Sequence, residues 1–203
     1  MIFLRVKREF KKLEIIKPKT KYFWTKVISA LKNQGVLVFP TDTAYGLAAD
    51  FKSAAALKKI HLIKNRPKNK KIALVASSLP QVKKFFRLNA KELFLARKYW
   101  PGPLTLILPL KNKKIKLGVR VPKQNLARQI CARFGKPITA TSANLAGGKE
   151  CYNIKDVLRN FSRRKYQPDL IIDAGRLKKV KPSTLVILKN NKIKIIRQGP
   201  IKL

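Results

Sequence analysis

Residues 35–47 read GVLVFPTDTAYGL. The apolar run from Val36 to Phe39 is closed by Gly35 on one side and Pro40 on the other. Its brevity, its Val and Phe content and its boundaries describe a strand, and the lack of alternation describes one buried on both faces. Such strands occur in sheets with helices on each side. The run passes directly into TDTAYGL, read as a polar loop of small hydroxyl residues. In open α/β sheets, ligands bind in the crevice outside such strand ends.

Outward from this stretch, helical and extended patterns alternate. Residues 22–33 carry helical spacing at Phe23, Val27, Ala30 and Leu31, with Gly35 just past the end. Residues 1–21 form a basic leading arm or strand, and residues 22–203 form the domain. Downstream, residues 53–64 read as a helix, followed by the basic loop 64–71. IALVAS is a buried strand, residues 80–99 are helical up to Trp100, Pro101-Gly102-Pro103 is a turn, and LTLILPL and LGVRVP are strands. Residues 124–134 are a helix, PITATSAN a strand opening into a Gly-Gly loop, IKDVLRNF a helix and DLIIDAG a strand. The tail STLVILKNNKIKIIRQG is a hairpin turning at Asn190-Asn191, since Asn tolerates positive φ. This alternation predicts a single-domain α/β fold, a twisted mixed sheet with flanking helices.

Lys and Arg number 48 against 9 Asp and Glu in 203 residues, a net charge of +39. That field attracts polyanions. Lys supplies 35 of the 48, and Ile and Asn are also plentiful, as AT-rich coding sequence would write onto any fold. The charge therefore leaves RNA binding and compositional bias both open. Cys131 and Cys151 make neither a CxxC nor a zinc spacing, which fits a reducing, cytoplasmic setting. No run approaches a membrane span, and the N-terminal apolar stretch is too short for a signal peptide. His61, the sole histidine, lies in a helical pattern with no nucleophile elbow, and carboxylates are too scarce for a metal cage.

The polar clusters fall at strand ends: Thr41-Asp42-Thr43, and Thr141-Ser142-Ala143-Asn144. Lys64 and Arg66 stand two apart before Pro67, which biases Arg66 toward an extended backbone. Two such cations can face one anion, Arg forking onto phosphate oxygens and Lys acting as a point charge. Neither a Walker A loop nor a G-x-G-x-x-G is present. Arg120, flanked by Val119 and Val121, is either on an exposed strand face or aimed into a pocket, where it suits a carboxylate.

Taken in order, PTDTAYGL (40–47), KNRP (64–67), WPGPLT (100–105), VRVP (119–122), TSAN (141–144), PST (182–184) and IRQG (196–199) resemble the YrdC-like threonylcarbamoyl-AMP synthase family. The resemblance covers roughly residues 22–200. It implies a twisted α/β fold with a positively charged concave face, and an enzyme that joins L-threonine, bicarbonate and ATP into L-threonylcarbamoyladenylate and pyrophosphate. The threonyl amine is carboxylated, and the carbamate oxygen attacks the ATP α-phosphate. The product serves modification of adenosine 37 in tRNAs reading codons that begin with A, through threonylcarbamoyl-transferase proteins. By the family's pattern, Lys64 and Arg66 grip the triphosphate and stabilise the leaving pyrophosphate. Ser142, Asn144 and Arg197 contact the nucleotide, while Thr43, Arg120 and Ser183 hold threonine, with Arg120 on its carboxylate. Mg²⁺ accompanies ATP, bound mainly by phosphate and water rather than by a protein metal site.

The chain departs from long-form relatives at Lys70, Lys71 and Val75, at Lys116, and at Glu150-Cys151-Tyr152. It ends soon after Arg197, which fits the short form. The alternative is a non-catalytic module of the same fold that binds double-stranded RNA or tRNA through its basic surface.

Overall fold

A computed structural model describes residues 13–67, 70–190 and 192–203. Most of the basic arm, residues 1–12, lies outside the described residues, as does Asn191 of the hairpin turn.

The arm ends in a short strand, β1 (Ile15–Ile16), followed by helix α1 (Phe23–Lys32). The quoted stretch then forms β2 (Leu37–Pro40) and β3 (Tyr45–Ala48). TDTAYGL is therefore not all loop. Thr41 to Ala44 make the turn, and Tyr45 pairs back onto Pro40. The apolar side chains of Tyr45 and Leu47, both fully buried, drive that pairing. Next come α2 (Ala54–Lys64), β4 (Leu74–Val75), α3 (Leu79–Phe85), α4 (Ala90–Tyr99), β5 (Leu104–Pro109) and β6 (Lys116–Arg120). The chain continues through α5 (Asn125–Phe134), β7 (Ile138–Thr139), β8 (Thr141–Ser142), α6 (Ile154–Phe161), β9 (Leu170–Ile172), β10 (Thr184–Lys189) and β11 (Lys192–Arg197).

The strands divide between two mixed sheets rather than forming one. The first runs β1-β9-β2-β3-β8 and the second β11-β10-β5-β6-β4-β7. PITATSAN, read as a single strand, is where the chain crosses between them. β7 pairs with β4 in the second sheet and β8 with β3 in the first. Ala140 is the crossing residue, its N–H donating to the Ala73 carbonyl at 2.7 Å. The step lets Thr139 tie the sheets together: its N–H donates to the Ala49 carbonyl (3.0 Å), and its hydroxyl accepts from the Ala49 N–H (2.8 Å).

β2 shows why its sequence lacks alternation. Leu37 and Phe39 pack with Phe23, Val27 and Leu31 of α1 and with Ile130 of α5. Val36 and Val38 pack on the opposite face with Ile60 of α2 and Phe161 of α6. Both faces are covered, so every position must be apolar. A third core joins the second sheet to α3 and α4 through residues such as Leu106, Val119, Val82 and Leu95. The final hairpin turns at Asn190, whose φ is 47°, a conformation that Asn adopts more readily than other residues with a Cβ.

Candidate active site

The mouth between the two sheets is a cavity of about 370 Å³. The first sheet contributes the 41–44 turn and β8, which are neighbours because both flank β3. The second contributes Thr105 of β5, Arg120 at the end of β6, Ser183 just before β10 and Arg197 at the end of β11. Thr43, Arg66, Arg120, Ser142, Ser183 and Arg197 all line this one cavity. Lys64 and Asn144 do not; they lie behind its wall.

The turn is held by its own hydroxyl. Thr41 Oγ1 accepts from the N–H groups of Thr43 and Ala44, each at 3.2 Å, and donates to the Ala44 carbonyl at 2.7 Å. This fixes Thr43 at the rim and leaves Asp42 free to point across to the other sheet. There Asp42 Oδ1 accepts from Arg120 Nη1 at 2.6 Å, and Oδ2 accepts from the Lys123 N–H at 3.0 Å. The two readings of Arg120 are thereby resolved: it is 7% exposed and aimed into the cavity. Burial weakens its hold on the proton, and the Asp42 carboxylate opposes that shift.

Lys64 and Arg66 are not two residues of one extended run. Lys64 is the last residue of α2, and Asn65 caps the helix in the left-handed region at φ 49°. That turn sends the two side chains to different places. Lys64 Nζ donates to the carbonyls of Ser142 (2.5 Å) and Asn144 (2.7 Å) and to Asn144 Oδ1 (3.3 Å). It is 3% exposed, and burial first, then the nearby Arg66 charge, lowers its pKa to about 8. Asn144 Nδ2 in turn donates to the Gly148 carbonyl, closing the loop. Arg66 reaches the cavity. Its Nη1 donates to Thr141 Oγ1 at 3.4 Å, its Nη2 donates to the Lys71 carbonyl at 3.2 Å, and its Nε is buried with no hydrogen-bond partner.

On the second sheet, Arg197 donates from Nε to the Ser183 carbonyl (3.0 Å) and from Nη2 to Ser183 Oγ (3.1 Å). Ser183 Oγ also lies 2.7 Å from Thr105 Oγ1. Gly199 brings these strands together, since any Cβ there would collide with the Pro182 carbonyl and the Thr184 nitrogen. The wall thus combines fixed hydroxyls with four cations, Arg66, Lys71, Arg120 and Arg197, against one carboxylate, Glu150. It carries no Cys or His. Such a surface suits an anionic ligand.

Reading the sequence alone missed several wall residues. Thr105 and Thr141 sat inside quoted motifs without an assigned role. Lys71 and Glu150 were noted only as departures. Tyr45, on the wall and otherwise buried, donates its hydroxyl proton to the Gly175 carbonyl at 2.7 Å. Desolvation pushes its pKa up to about 12. Val75 lines the cavity beside Leu74, whereas Lys70 and Lys116 do not line it. Among the described residues, no three His, Cys, Asp or Glu are grouped to hold a metal ion, and no helix is long and apolar enough to cross a membrane.

Comparison with known proteins finds relatives in sequence and in fold. The Threonylcarbamoyl-AMP synthase of Psychromonas ingrahamii is 38% identical over 158 residues, 72% of this chain and 82% of that protein. The protein of the same name from Serratia proteamaculans is 33% identical, over 68% of this chain and 79% of that one. The P. abyssi Sua5 structure complexed with L-threonine superposes with a TM-score of 0.82 at 25% identity, covering 93% of this chain. This chain spans only 58% of that Sua5 chain. E. coli YciO shares the fold, with a TM-score of 0.80 at 24% identity over 94% of this chain and 96% of its own. Residues 29–199 match the family described as Sua5/YciO/YrdC, telomere recombination, and this chain belongs to that family.

Proposed function

We propose that the chain is a threonylcarbamoyl-AMP synthase, a nucleotidyltransferase that makes L-threonylcarbamoyladenylate and pyrophosphate from L-threonine, bicarbonate and ATP. The observation that carries this is the convergence of Thr43, Arg66, Arg120, Ser142, Ser183 and Arg197 on one cavity with no Cys or His on its wall. The relatives named for this activity support it further.

The chemistry asks for positioning and charge stabilisation more than for a protein nucleophile. Arg120, held by Asp42 through Nη1 alone, keeps its remaining donors for the threonine carboxylate. Thr43 and Ser183 present hydroxyls to the rest of the amino acid. The carbamate formed from threonine and bicarbonate then supplies the oxygen that attacks the α-phosphorus. The bond to the β-phosphate bridging oxygen breaks, and pyrophosphate leaves with its electron pair. Arg66 lies where it can take up that charge by bidentate pairing. Arg197 would lie along the nucleotide and Ser142 would contact it, while Asn144, behind the wall, would act by holding the loop together with Lys64. Lys64 works from behind the wall, shaping the 142–144 loop and adding positive potential. Mg²⁺ would accompany ATP as its counter-ion and would be held mainly by phosphate and water, since the wall offers one carboxylate, Glu150.

The product would pass to threonylcarbamoyl-transferase proteins and so to tRNA, a cytoplasmic role. The test is pyrophosphate release by purified protein given ATP and Mg²⁺. Release should require threonine and bicarbonate together. Equal release with serine, or with bicarbonate withheld, overturns the proposal.

A further inference from the structure

Behind Arg66 lies a second depression, separate from the cavity, with a volume of about 700 Å³. Arg66 lines both. The outer groove is formed by the exposed face of α2, the turn after it and the segment after α6. Five of its ten lining residues are cations: Lys58, Arg66, Arg163, Arg164 and Lys165; none is an acid. None of the five appears in an ion pair among the described residues. The C-terminal end of α2 points here, and its dipole favours positive charge, which lets the cations gather without carboxylate partners. Two side chains of its lining, His61 and Arg66, each carry a nitrogen (Nδ1 and Nε) that is buried beneath the groove surface with no hydrogen-bond partner. Tyr166, 40% exposed, closes the rim.

We infer that this groove is a second phosphate site, which receives pyrophosphate as it leaves the cavity. The inference rests on the proposed reaction for the identity of the anion. Pyrophosphate carries several charges, and Arg66 and Lys71 are among the cations that line the cavity it would leave. Leaving such a site straight into water means giving up every charge-assisted contact at once. Arg66 is one side chain shared by the two compartments, so the anion can keep that contact while Arg163 and Arg164 replace the others. Arginine forks suit the non-bridging oxygens of a diphosphate. The groove is open enough for release to follow.

Direct binding tests this apart from catalysis. Titration calorimetry with inorganic pyrophosphate is expected to give two sites per chain, one displaced by ATP and one not. In R163A/R164A only the ATP-displaceable site should remain. Both arginines are exposed, so folding should be kept. A control, K83A/K84A, removes the same charge from the exposed face of α3 and should retain both sites. In turnover, R163A/R164A should keep the rate of the first turnover. Its steady-state rate should fall several-fold, with stronger inhibition by added pyrophosphate.

One pyrophosphate site in the unmodified protein overturns the inference. So does an equal loss in K83A/K84A. If R163A/R164A weakens binding of a single-stranded RNA oligonucleotide and leaves pyrophosphate binding whole, the groove is a nucleic-acid surface and the inference fails. Absence of threonine-dependent turnover would instead remove the proposed function, while the titration would still decide whether the groove binds phosphate.

Discussion

The Lys64 ammonium donates twice to one residue, to the main-chain carbonyl of Asn144 at 2.7 Å and to its side-chain Oδ1 at 3.3 Å. With the Ser142 carbonyl as a third acceptor at 2.5 Å, the lysine organises the loop that runs from Ser142 on the cavity wall to Asn144 behind it. Replacing Lys64 by Met should therefore act on stability as well as on catalysis. It strands buried carbonyls, each costing about 1–3 kcal/mol. For a chain of this length that is about 2–4 °C of melting temperature per kcal/mol. Thermal unfolding should show a clear drop, and ATP affinity should fall with it. A Lys64→Met variant with unchanged melting and weakened ATP binding would mean that the ammonium acts only on ligand.

The same lysine predicts a pH dependence. Its pKa falls from 10.5 to about 8 on folding, chiefly by burial and then by the Arg66 charge. Between those values the folded state binds fewer protons than the unfolded state, so this group's contribution to stability becomes more favourable as pH rises through the window. Activity should move the opposite way. The positive potential behind the wall is lost above pH about 8, so kcat/KM for ATP should decline there. In Lys64→Arg the charge persists, and any residual activity should lack that limb. A profile identical in both proteins would assign the limb to another group.

Much of the fold was legible because burial leaves a simple mark. β2 is apolar at every position since α1 and α5 cover one face and α2 and α6 the other. What stayed hidden depends on pairing. Nothing local in PITATSAN says that β7 and β8 belong to different sheets; that follows from partners at Val75 and Gly46, far away in sequence. The separate destinations of Lys64 and Arg66 were hidden for a related reason. The two share a motif, but the left-handed Asn65 between them splits their roles, and Asn is only permissive of that conformation.

The Asp42–Arg120 pair should be energetically coupled. The side chains are 15% and 8% exposed, and the contact is 2.6 Å. Removing one member of such a pair leaves an uncompensated buried charge, costing about 3–5 kcal/mol. Asp42→Ala and Arg120→Met should each lower stability to denaturant, while the double variant should lose much less than their sum. Strict additivity in the cycle would show that the pair contributes nothing as a pair.

Gly199 offers a steric test of how the second sheet is assembled. A methyl group there would meet the Pro182 carbonyl and the Thr184 nitrogen, both backbone atoms with little room to retreat. Overpacking of this kind costs about 1–3 kcal/mol. Relief requires Pro182–Thr184 to move away from Gly199, which disturbs the Arg197 hydrogen bonds to Ser183. Gly199→Ala should then lose activity out of proportion to its loss of stability at assay temperature. Full activity would show that the Arg197–Ser183 contact is dispensable.

Arg66 and Arg120 line one cavity, yet they are assigned to different substrates, so their alanine variants should separate kinetically. Arg66 has two internal contacts, Nη1 to Thr141 Oγ1 at 3.4 Å and Nη2 to the Lys71 carbonyl at 3.2 Å, and its Nε is unpaired, so its truncation costs the fold little. Loss of a charge-assisted phosphate contact costs about 1.5–3 kcal/mol, or roughly 10- to 150-fold in turnover, with near-normal melting. Arg120→Ala should instead raise the KM for threonine, and it should also melt earlier because Asp42 loses its cationic partner and keeps only the Lys123 N–H. A rise in the KM for ATP with threonine binding unchanged would exchange the two subsites.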